Sequence, residues 1–207
     1  MRMADLLARY KAANDPVRQQ AMANAYVPIV RSFLLIGCGY YTYITWSHWN
    51  ERSGLTLLIL GSISATTAVS YYLIRHHVLV GDKVALTRLE LSGLATNLLM
   101  YFNVLVFLLI SFEETKLIYF ALMAIGFSST GVTFRSTLFC IFLSLATLYY
   151  FASSLSHEMF TQYVSIGVAT AFGGFGMATL LRQAILRQID ARLLADLLAA
   201  KAQRLAD

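Results

Sequence analysis

Six long runs without charged residues constrain this chain more than any other feature of its sequence. A helix needs ~20 apolar residues to cross ~30 Å of hydrocarbon at ~1.5 Å per residue. Most of the runs are that long, and the shorter first and fourth need neighbouring residues at the interface. The runs are Ser32–Ser47, Leu55–Ile74, Leu91–Phe112, Leu117–Phe134, Ser136–Ser156 and Met159–Leu181. We therefore predict an all-α polytopic membrane protein with six transmembrane helices.

The composition excludes an ordinary soluble domain. Hydrophobic residues make up 58% of the chain and charged residues only 13%, against roughly 25% charged residues in soluble proteins. The mean hydropathy is +0.63. Transmembrane strands would show ~10-residue segments of alternating polarity, and the sequence has none. The two cysteines, Cys38 and Cys140, both fall inside predicted spans, where they act as small apolar residues.

The distribution of Lys and Arg predicts the orientation of the chain, because these residues favour the cytoplasmic side. With the N-terminus inside, fourteen basic residues fall in cytoplasmic pieces, and only Arg52 and Lys116 fall outside. Both termini are then cytoplasmic, and we expect a multi-pass protein of the bacterial inner membrane. We attribute the net charge of +5 to the orientation of the chain in the membrane. A nucleic-acid interface would instead gather basic residues on one soluble face. We expect membrane lipids as partners and no nucleic acid.

The chain divides into three predicted parts. Residues 1–27 form a cytoplasmic juxtamembrane segment with a weak apolar face, in which Asp15 and Pro16 are typical of the start of a second, short helix. That segment either lies on the membrane surface or contacts the C-terminal helix. Residues 28–181 form the six-helix domain. Residues 182–207 form a cytoplasmic linker helix of coiled-coil character.

Polar and aromatic residues inside the predicted spans are candidate ligand contacts. The third span contains Asn97, Tyr101 and Asn103, and the first contains Tyr40 and Tyr43. Buried Asn and Tyr side chains in lipid must find partners, and hydrogen bonds between helices are the common outcome. The five residues are therefore either ligand contacts or links between helices.

A second group of candidates lies in the predicted external loops. His48, His157, Glu113 and Glu114 share one side of the membrane, together with Glu51 and Glu158. Such a group could bind a divalent metal or respond to pH, but solvated loop charges that share one face are the more common explanation. The sequence thus predicts no defined metal site and no cofactor.

Small residues form one face of the sixth span. Gly167, Ala171, Gly174 and Ala178 follow each other at intervals of four, three and four. Small side chains at this spacing let another backbone approach closely. The partner is either a helix of the same bundle or a second copy of the chain in a homodimer.

An amphipathic helix pattern follows directly after the sixth span. Leu186, Ile189, Leu193 and Leu197 recur at helical spacing and form a stripe suited to a helical partner. A helix that lies on the membrane is the alternative.

The same stretch resembles the linker that follows the membrane module in bacterial hybrid sensor histidine kinases. The matching residues are Leu181, Arg182, Ala184, Leu186, Arg187, Leu194, Leu198 and Lys201. Similar linkers precede diguanylate cyclase domains. The resemblance implies the sensor part of a larger signalling protein, although the phosphoacceptor His and the ATP-binding boxes of the kinase family have no counterpart here.

From these features we predict a non-catalytic sensory module of a two-component signalling protein. It would work as a homodimer and relay a small-molecule or membrane signal through the sixth span to a cytoplasmic output domain. The site should lie between moving helices, and spans one, three and six are the expected walls. The alternatives are a small transporter or channel-like protein and a membrane anchor without a ligand. No enzyme motif is present, and intramembrane charge, the usual mark of an ion pathway, is nearly absent.

Overall fold

Helices make up the fold, as the sequence predicts. The computed structural model describes residues 15–81 and 84–206, except the side chains of Ser129, Leu197, Ala200, Arg204 and Ala206. The α-helices are α1 (Pro16–Glu51), α2 (Gly54–Leu73), α3 (Leu86–Ile110), α4 (Ile118–Thr130), α5 (Phe134–Ala152) and α6 (His157–Ala206). A π-helix, Ile74–Val78, extends α2, and a 3-10 turn, Glu114–Leu117, precedes α4. No strand occurs in the part of the chain that is described.

Five of these helices are long and apolar enough to cross a membrane: α1, α2 with its π-helical extension, α3, α5 and α6. The fourth predicted span is shorter than its sequence run. Helix α4 has 13 residues and is about 20 Å long. It ends at Thr130, and the Thr133 hydroxyl caps α5 by accepting from the Ser136 N–H at 3.4 Å. Five candidate spans are confirmed, and the sixth is not.

Helix α1 begins where the sequence predicts it. The Asp15 carboxylate accepts a hydrogen bond from the Val17 N–H at 3.0 Å, and Pro16 takes the first helical position. The prediction of a short, separate helix at this point is wrong, because α1 continues for 36 residues into the first span. Pro28 lies inside this helix and lacks the N–H for the bond to the preceding turn.

Helix α4 lies at the centre of the bundle. Phe120, Ala121, Ala124 and Phe127 are at most 1% exposed, and they pack among side chains of α3, α5 and α6. A second apolar cluster joins α1 and α2 to the part of α6 that follows the sixth predicted span. The two clusters hold opposite ends of the bundle, which we call the hairpin end, where α1 turns into α2, and the tail end, where α6 leaves the bundle.

The outer surface of the bundle is apolar. Ile36, Leu55, Phe142 and Phe172 lie on four different helices, and each is more than 70% exposed. A soluble protein rarely leaves so many large apolar side chains in water. This surface fits hydrocarbon and agrees with the five candidate spans.

Helix α6 runs from the bundle into the tail without a break. Its 50 residues correspond to about 75 Å, more than twice the ~30 Å of a hydrocarbon core. The predicted boundary between residues 181 and 182 therefore falls inside one continuous helix.

Candidate functional site

A cavity of about 480 Å³ opens between α1, α3 and α4 near the hairpin end. Its volume lies within the ~300–1,000 Å³ that small-molecule sites occupy. Each helix presents one stripe at helical spacing: Tyr40, Ile44 and His48 from α1; Met100, Val104 and Phe107 from α3; Tyr119, Met123 and Gly126 from α4. Two of the three helices that were expected to form the site, α1 and α3, do line this cavity. Its third wall is α4, whereas α6 lies behind it.

The inner wall of the cavity offers few free polar groups, although it includes the side chain of Asn103. The Asn103 carbonyl oxygen accepts from the Ser64 hydroxyl at 3.0 Å, and its amide donates to the Thr67 hydroxyl at 2.5 Å and to the Leu99 carbonyl at 3.2 Å. Asn103 is only 7% exposed. Its polar atoms thus connect α3 to α2, and the wall offers a ligand mainly hydrocarbon.

Charged residues gather at the mouth of the cavity. Arg52 and Lys116 both approach the Glu113 carboxylate, at 4.0 and 3.8 Å. The Arg52 guanidinium lies 5.9 Å from the centre of the Phe107 ring, and the Lys116 ammonium lies 5.7 Å from that of Tyr119. Two cations therefore approach the Glu113 carboxylate at long range and lie near aromatic faces, and the Glu51 carboxylate lines the same mouth.

The rim of the cavity is open to the side of the bundle. Tyr40 of α1 is 51% exposed, and Leu122 of α4 is 54% exposed, although both line the cavity. Since the flanks of these helices are apolar, the opening between α1 and α4 faces the region that hydrocarbon would fill. A ligand can reach the cavity sideways as well as through its mouth.

The other predicted ligand contacts lie elsewhere. Tyr43 is 58% exposed and leans toward Trp46. Asn97 accepts from the Thr130 hydroxyl at 2.9 Å, and Tyr101 bonds the Thr147 hydroxyl at 2.7 Å. Asn97 therefore connects α3 to α4, and Tyr101 connects α3 to α5. Of the five candidates, only Tyr40 and Asn103 line the cavity.

The external metal candidates are only partly brought together. His48 and Glu113 both line the cavity, whereas His157 is exposed at the start of α6. Glu114 accepts from the Tyr163 hydroxyl through its backbone carbonyl, at 2.8 Å. Within residues 15–81 and 84–206, no three His, Cys, Asp or Glu side chains form a group that could hold a metal ion.

The apolar lining of the cavity is what sequence reasoning missed. Met100, Val104, Phe107 and Met123 carry no polar signal, and each resembles an ordinary lipid-facing or core residue. The spacing of three or four residues on α1, α3 and α4 was visible, but a single stripe does not identify its partner helices. Only the tertiary arrangement of the three helices reveals the site.

The small-residue face of α6 packs inside this chain's own bundle. A Cβ atom on Gly174 would lie 2.6 Å from the Ser128 hydroxyl and 3.1 Å from the Ala124 carbonyl oxygen. A Cβ atom on Gly167 would lie 2.5 Å from the Tyr149 hydroxyl. Ala171 and Ala178 on the same face are half-buried. Helix α4 therefore separates the cavity from α6 and contacts both.

The first part of the tail packs against the start of α1. Ile185 and Ile189 are 7% and 6% exposed and belong to one cluster with Met22 and Tyr26. Leu186 and Leu193 pack against the same cluster and stay partly buried. The predicted stripe thus has a partner within the chain, while the side chain of Leu197 lies outside the described residues.

No protein-family model, no curated protein and no solved structure matches the chain. The resemblance of the tail to sensor-kinase linkers therefore stays a prediction, and the function must be inferred from the cavity and its connection to α6.

Proposed function

We propose that this chain is a membrane sensory module that binds a small amphipathic molecule between α1, α3 and α4. Binding would shift α6 and thereby change the activity of an output domain joined to its cytoplasmic end. This proposal extends the resemblance to bacterial sensor kinases and related cyclases. The chain itself would regulate catalysis and would not perform it.

The position of α4 carries the proposal. Met123 and Gly126 line the cavity, whereas Ala124 and Ser128 of the same helix contact Gly174 of α6. Since Gly174 lets the backbone of α6 approach the Ser128 side chain and the Ala124 carbonyl closely, a movement of α4 would displace α6. A ligand that favours one position of α4 favours the matching position of α6, as a two-state switch requires.

Helix α1 offers a second connection to the tail. Near the hairpin end it lines the cavity with residues between Tyr40 and Glu51. At the tail end its Arg18 forms an ion pair with Asp190 of α6 at 3.1 Å. Pro28 lies between these two contacts, and proline is a common cause of helix bending. A tilt of α1 at the cavity would therefore also act on α6.

The cavity favours a ligand with an apolar body and a zwitterionic or polar end. Its inner wall offers hydrocarbon and aromatic rings, because Asn103 is already satisfied by α2. Its mouth offers Arg52 and Lys116 beside the carboxylates of Glu51 and Glu113. The lateral opening between α1 and α4 suits a molecule that partitions into the bilayer before it binds.

We further propose six crossings, with both termini in the cytoplasm of a bacterium. The 3-10 turn adds four residues, or about 8 Å, to the roughly 20 Å of α4, which together approach the ~30 Å of hydrocarbon. Since α4 is buried among its neighbours, its short length need not match the lipid. The fourteen-to-two distribution of Lys and Arg supports the orientation.

A homodimer remains part of the proposal, with a different contact surface. The glycine face of α6 is occupied by α4 and α5 of the same chain. In the tail, Leu194, Leu198 and Leu205 are 58%, 60% and 80% exposed, and they have helical spacing. These leucines suit a second copy of the tail helix.

The test is an output domain fused after Asp207, with one to four residues inserted at the junction in separate variants. If α6 transmits a rotation or shift, kinase or cyclase output should vary with the helical phase of the insertion. Output that does not depend on the helical phase of the insertion would contradict transmission through α6.

The cavity is tested in the same fusion by Gly126→Leu. A Cβ atom on Gly126 meets nothing within 4 Å, so the larger side chain enters the cavity without a backbone clash. The matched control is Gly173→Leu, because Gly173 is exposed on α6 and equally open. We expect Gly126→Leu to lock output in one state and Gly173→Leu to behave as the parent.

A transporter is the second candidate, and the open, charged mouth of the cavity favours it. An outward-facing carrier presents the same geometry before its substrate is enclosed. Purified protein in proteoliposomes would then move a solute at a rate that Gly126→Leu reduces, and fused output would not depend on phase.

A further inference from the structure

A second, smaller cavity lies at the tail end, where α1, α3, α6 and the α4–α5 turn meet. Its volume is about 150 Å³, well below the ~300–1,000 Å³ of sites that enclose a whole small molecule. It therefore fits one compact chemical group. Its walls are Arg18, Met22, Leu86, Val132, Thr133 and Arg182, with Leu186 beside them.

The two arginines of this cavity are incompletely satisfied. One terminal nitrogen of Arg18 bonds the Asp190 carboxylate at 3.1 Å, but its Nε–H is buried and has no acceptor among the described atoms. Arg182 makes no hydrogen bond or ion pair with any residue in the described part of the chain. A buried donor without an acceptor is costly, so a bound anion that accepts from the Arg18 Nε–H would be stabilised there.

We propose that this cavity binds a phosphate group that bridges Arg18 of α1 and Arg182 of α6. The planar guanidinium presents paired N–H donors that match phosphate oxygens, and charge-assisted bonds of this kind are strong. Asp190 forms an ion pair with Arg18. Glu90 is also close, because its carboxylate accepts a hydrogen bond from the Thr133 hydroxyl of the cavity wall, but within the described residues no ion pair joins it to Arg182.

The location fits two sources of the phosphate. Arg182 directly follows the sixth apolar run, and Leu86 and Val132 lie where α3 begins and α4 has just ended. These are the depths at which helices leave hydrocarbon, so the phosphodiester of an anionic lipid can enter from the side. A soluble phosphate or phosphoester can enter from the aqueous side.

A bound phosphate would strengthen the contact between α1 and α6 at the tail end of the bundle. It would add a second link between α1 and α6 beside the Arg18–Asp190 pair. This link would lie next to the turn of α6 that holds Ile185 and Ile189 against α1. The site does not depend on the larger cavity or on its ligand. It can exist whether or not the chain is a sensor.

The test uses the purified full chain in a maltoside detergent without phosphate, with thermal unfolding as the measurement. The added probes are short-chain phosphatidylglycerol, an uncharged short-chain diacylglycerol, and inorganic phosphate. At a hundredfold excess over Kd, the bound group should raise the Tm by about 5–10 °C. A rise with phosphatidylglycerol alone identifies a lipid, and a rise with inorganic phosphate identifies a soluble anion.

The variants are Arg182→Gln and, as a matched control, Arg187→Gln, an exposed arginine farther along the same helix. Without ligand, Arg182→Gln should unfold at the same temperature as the parent, because Arg182 has no hydrogen bond or ion pair to lose among the described residues. With ligand, it should lose most of the rise in Tm. Arg187→Gln should keep the rise, and Arg182→Lys should keep only part of it. The proposal fails if neither phosphatidylglycerol nor inorganic phosphate raises the Tm of the parent, if the uncharged diacylglycerol raises it as much as phosphatidylglycerol, or if the two Gln variants lose the rise equally.

Discussion

Arg18 and Asp190 lie 172 positions apart in the chain, yet the Arg18 guanidinium donates to the Asp190 carboxylate at 3.1 Å. The pair joins the first turn of α1 to the tail of α6. Beneath it, Ile185 and Ile189 pack with Met22 in the same apolar cluster. The tail therefore leaves the bundle with one face already engaged, and a movement of α1 relative to α6 must strain this contact.

Breaking the Arg18–Asp190 pair should loosen the tail with little effect on the stability of the bundle. The side chains are 25% and 57% exposed, and pairs of this kind contribute about 0–1 kcal/mol. We expect Asp190→Asn to broaden the distance distribution between spin labels at Val17 and Arg192, measured by double electron–electron resonance. Asp196→Asn is the control, since Asp196 is exposed on the tail. An unchanged distribution in Asp190→Asn would mean that the apolar cluster alone holds the tail.

A side chain at Gly174 should push α6 away from α4. Its Cβ would lie 3.1 Å from the Ala124 carbonyl oxygen, which cannot move aside like the end of a flexible side chain. Overpacking of this kind costs about 1–3 kcal/mol, so Gly174→Leu should lower the Tm. The adjacent Gly173 is exposed, with nothing within 4 Å of a Cβ atom. Gly173→Leu should therefore unfold like the parent, and equal losses in both variants would contradict the packing.

Truncation of Asn103 should destabilise the junction of α2 and α3. Asn103→Ala leaves the buried Ser64 and Thr67 hydroxyls without their partner on α3. We expect a loss of about 1–3 kcal/mol in the free energy of unfolding, measured by denaturant titration in detergent. Asn50→Ala is the control, because Asn50 is exposed and bonds only the Trp46 carbonyl within its own helix. If the two variants are equally stable, Asn103 does not connect these helices.

The sequence predicted those features of the fold that depend on local chemistry. Apolar length predicted the long helices, and Asp15 followed by Pro16 predicted the start of α1, which the side-chain cap confirms. The fourth run is longer than its helix, because its 18 uncharged residues include Gly131, Val132 and Thr133, which form a turn. Hydropathy measures how apolar a stretch is, and it does not show where the helix inside it ends.

The candidate site could be predicted only in part, because it depends on contacts between distant segments. Polar character singled out Tyr40 and Asn103, which line the cavity, but also Asn97 and Tyr101, whose groups face other helices. The same residue type is a ligand contact or a helix link depending on its neighbours. The Arg18–Asp190 pair carries no sequence signal, since surface charges of both signs are common.

The number of crossings is decided by the two ends of α4. If α4 and its 3-10 turn cross the membrane, Thr115 and Arg135 lie on opposite sides; with five crossings they lie on the same side. Both residues are exposed and suit single-cysteine labelling after Cys38 and Cys140 are replaced by Ala. We expect an impermeant maleimide to label Thr115→Cys in intact cells and Arg135→Cys only after permeabilisation.

Two further positions calibrate that measurement. Ser53→Cys, in the α1–α2 turn, should label from outside, and Thr87→Cys, at the start of α3, should be protected; both residues are exposed. If Arg135→Cys labels as fast as Thr115→Cys in intact cells, α4 does not cross. Helices α5 and α6 would then be inverted and the tail would lie outside, which would also end the proposal of a cytoplasmic output domain.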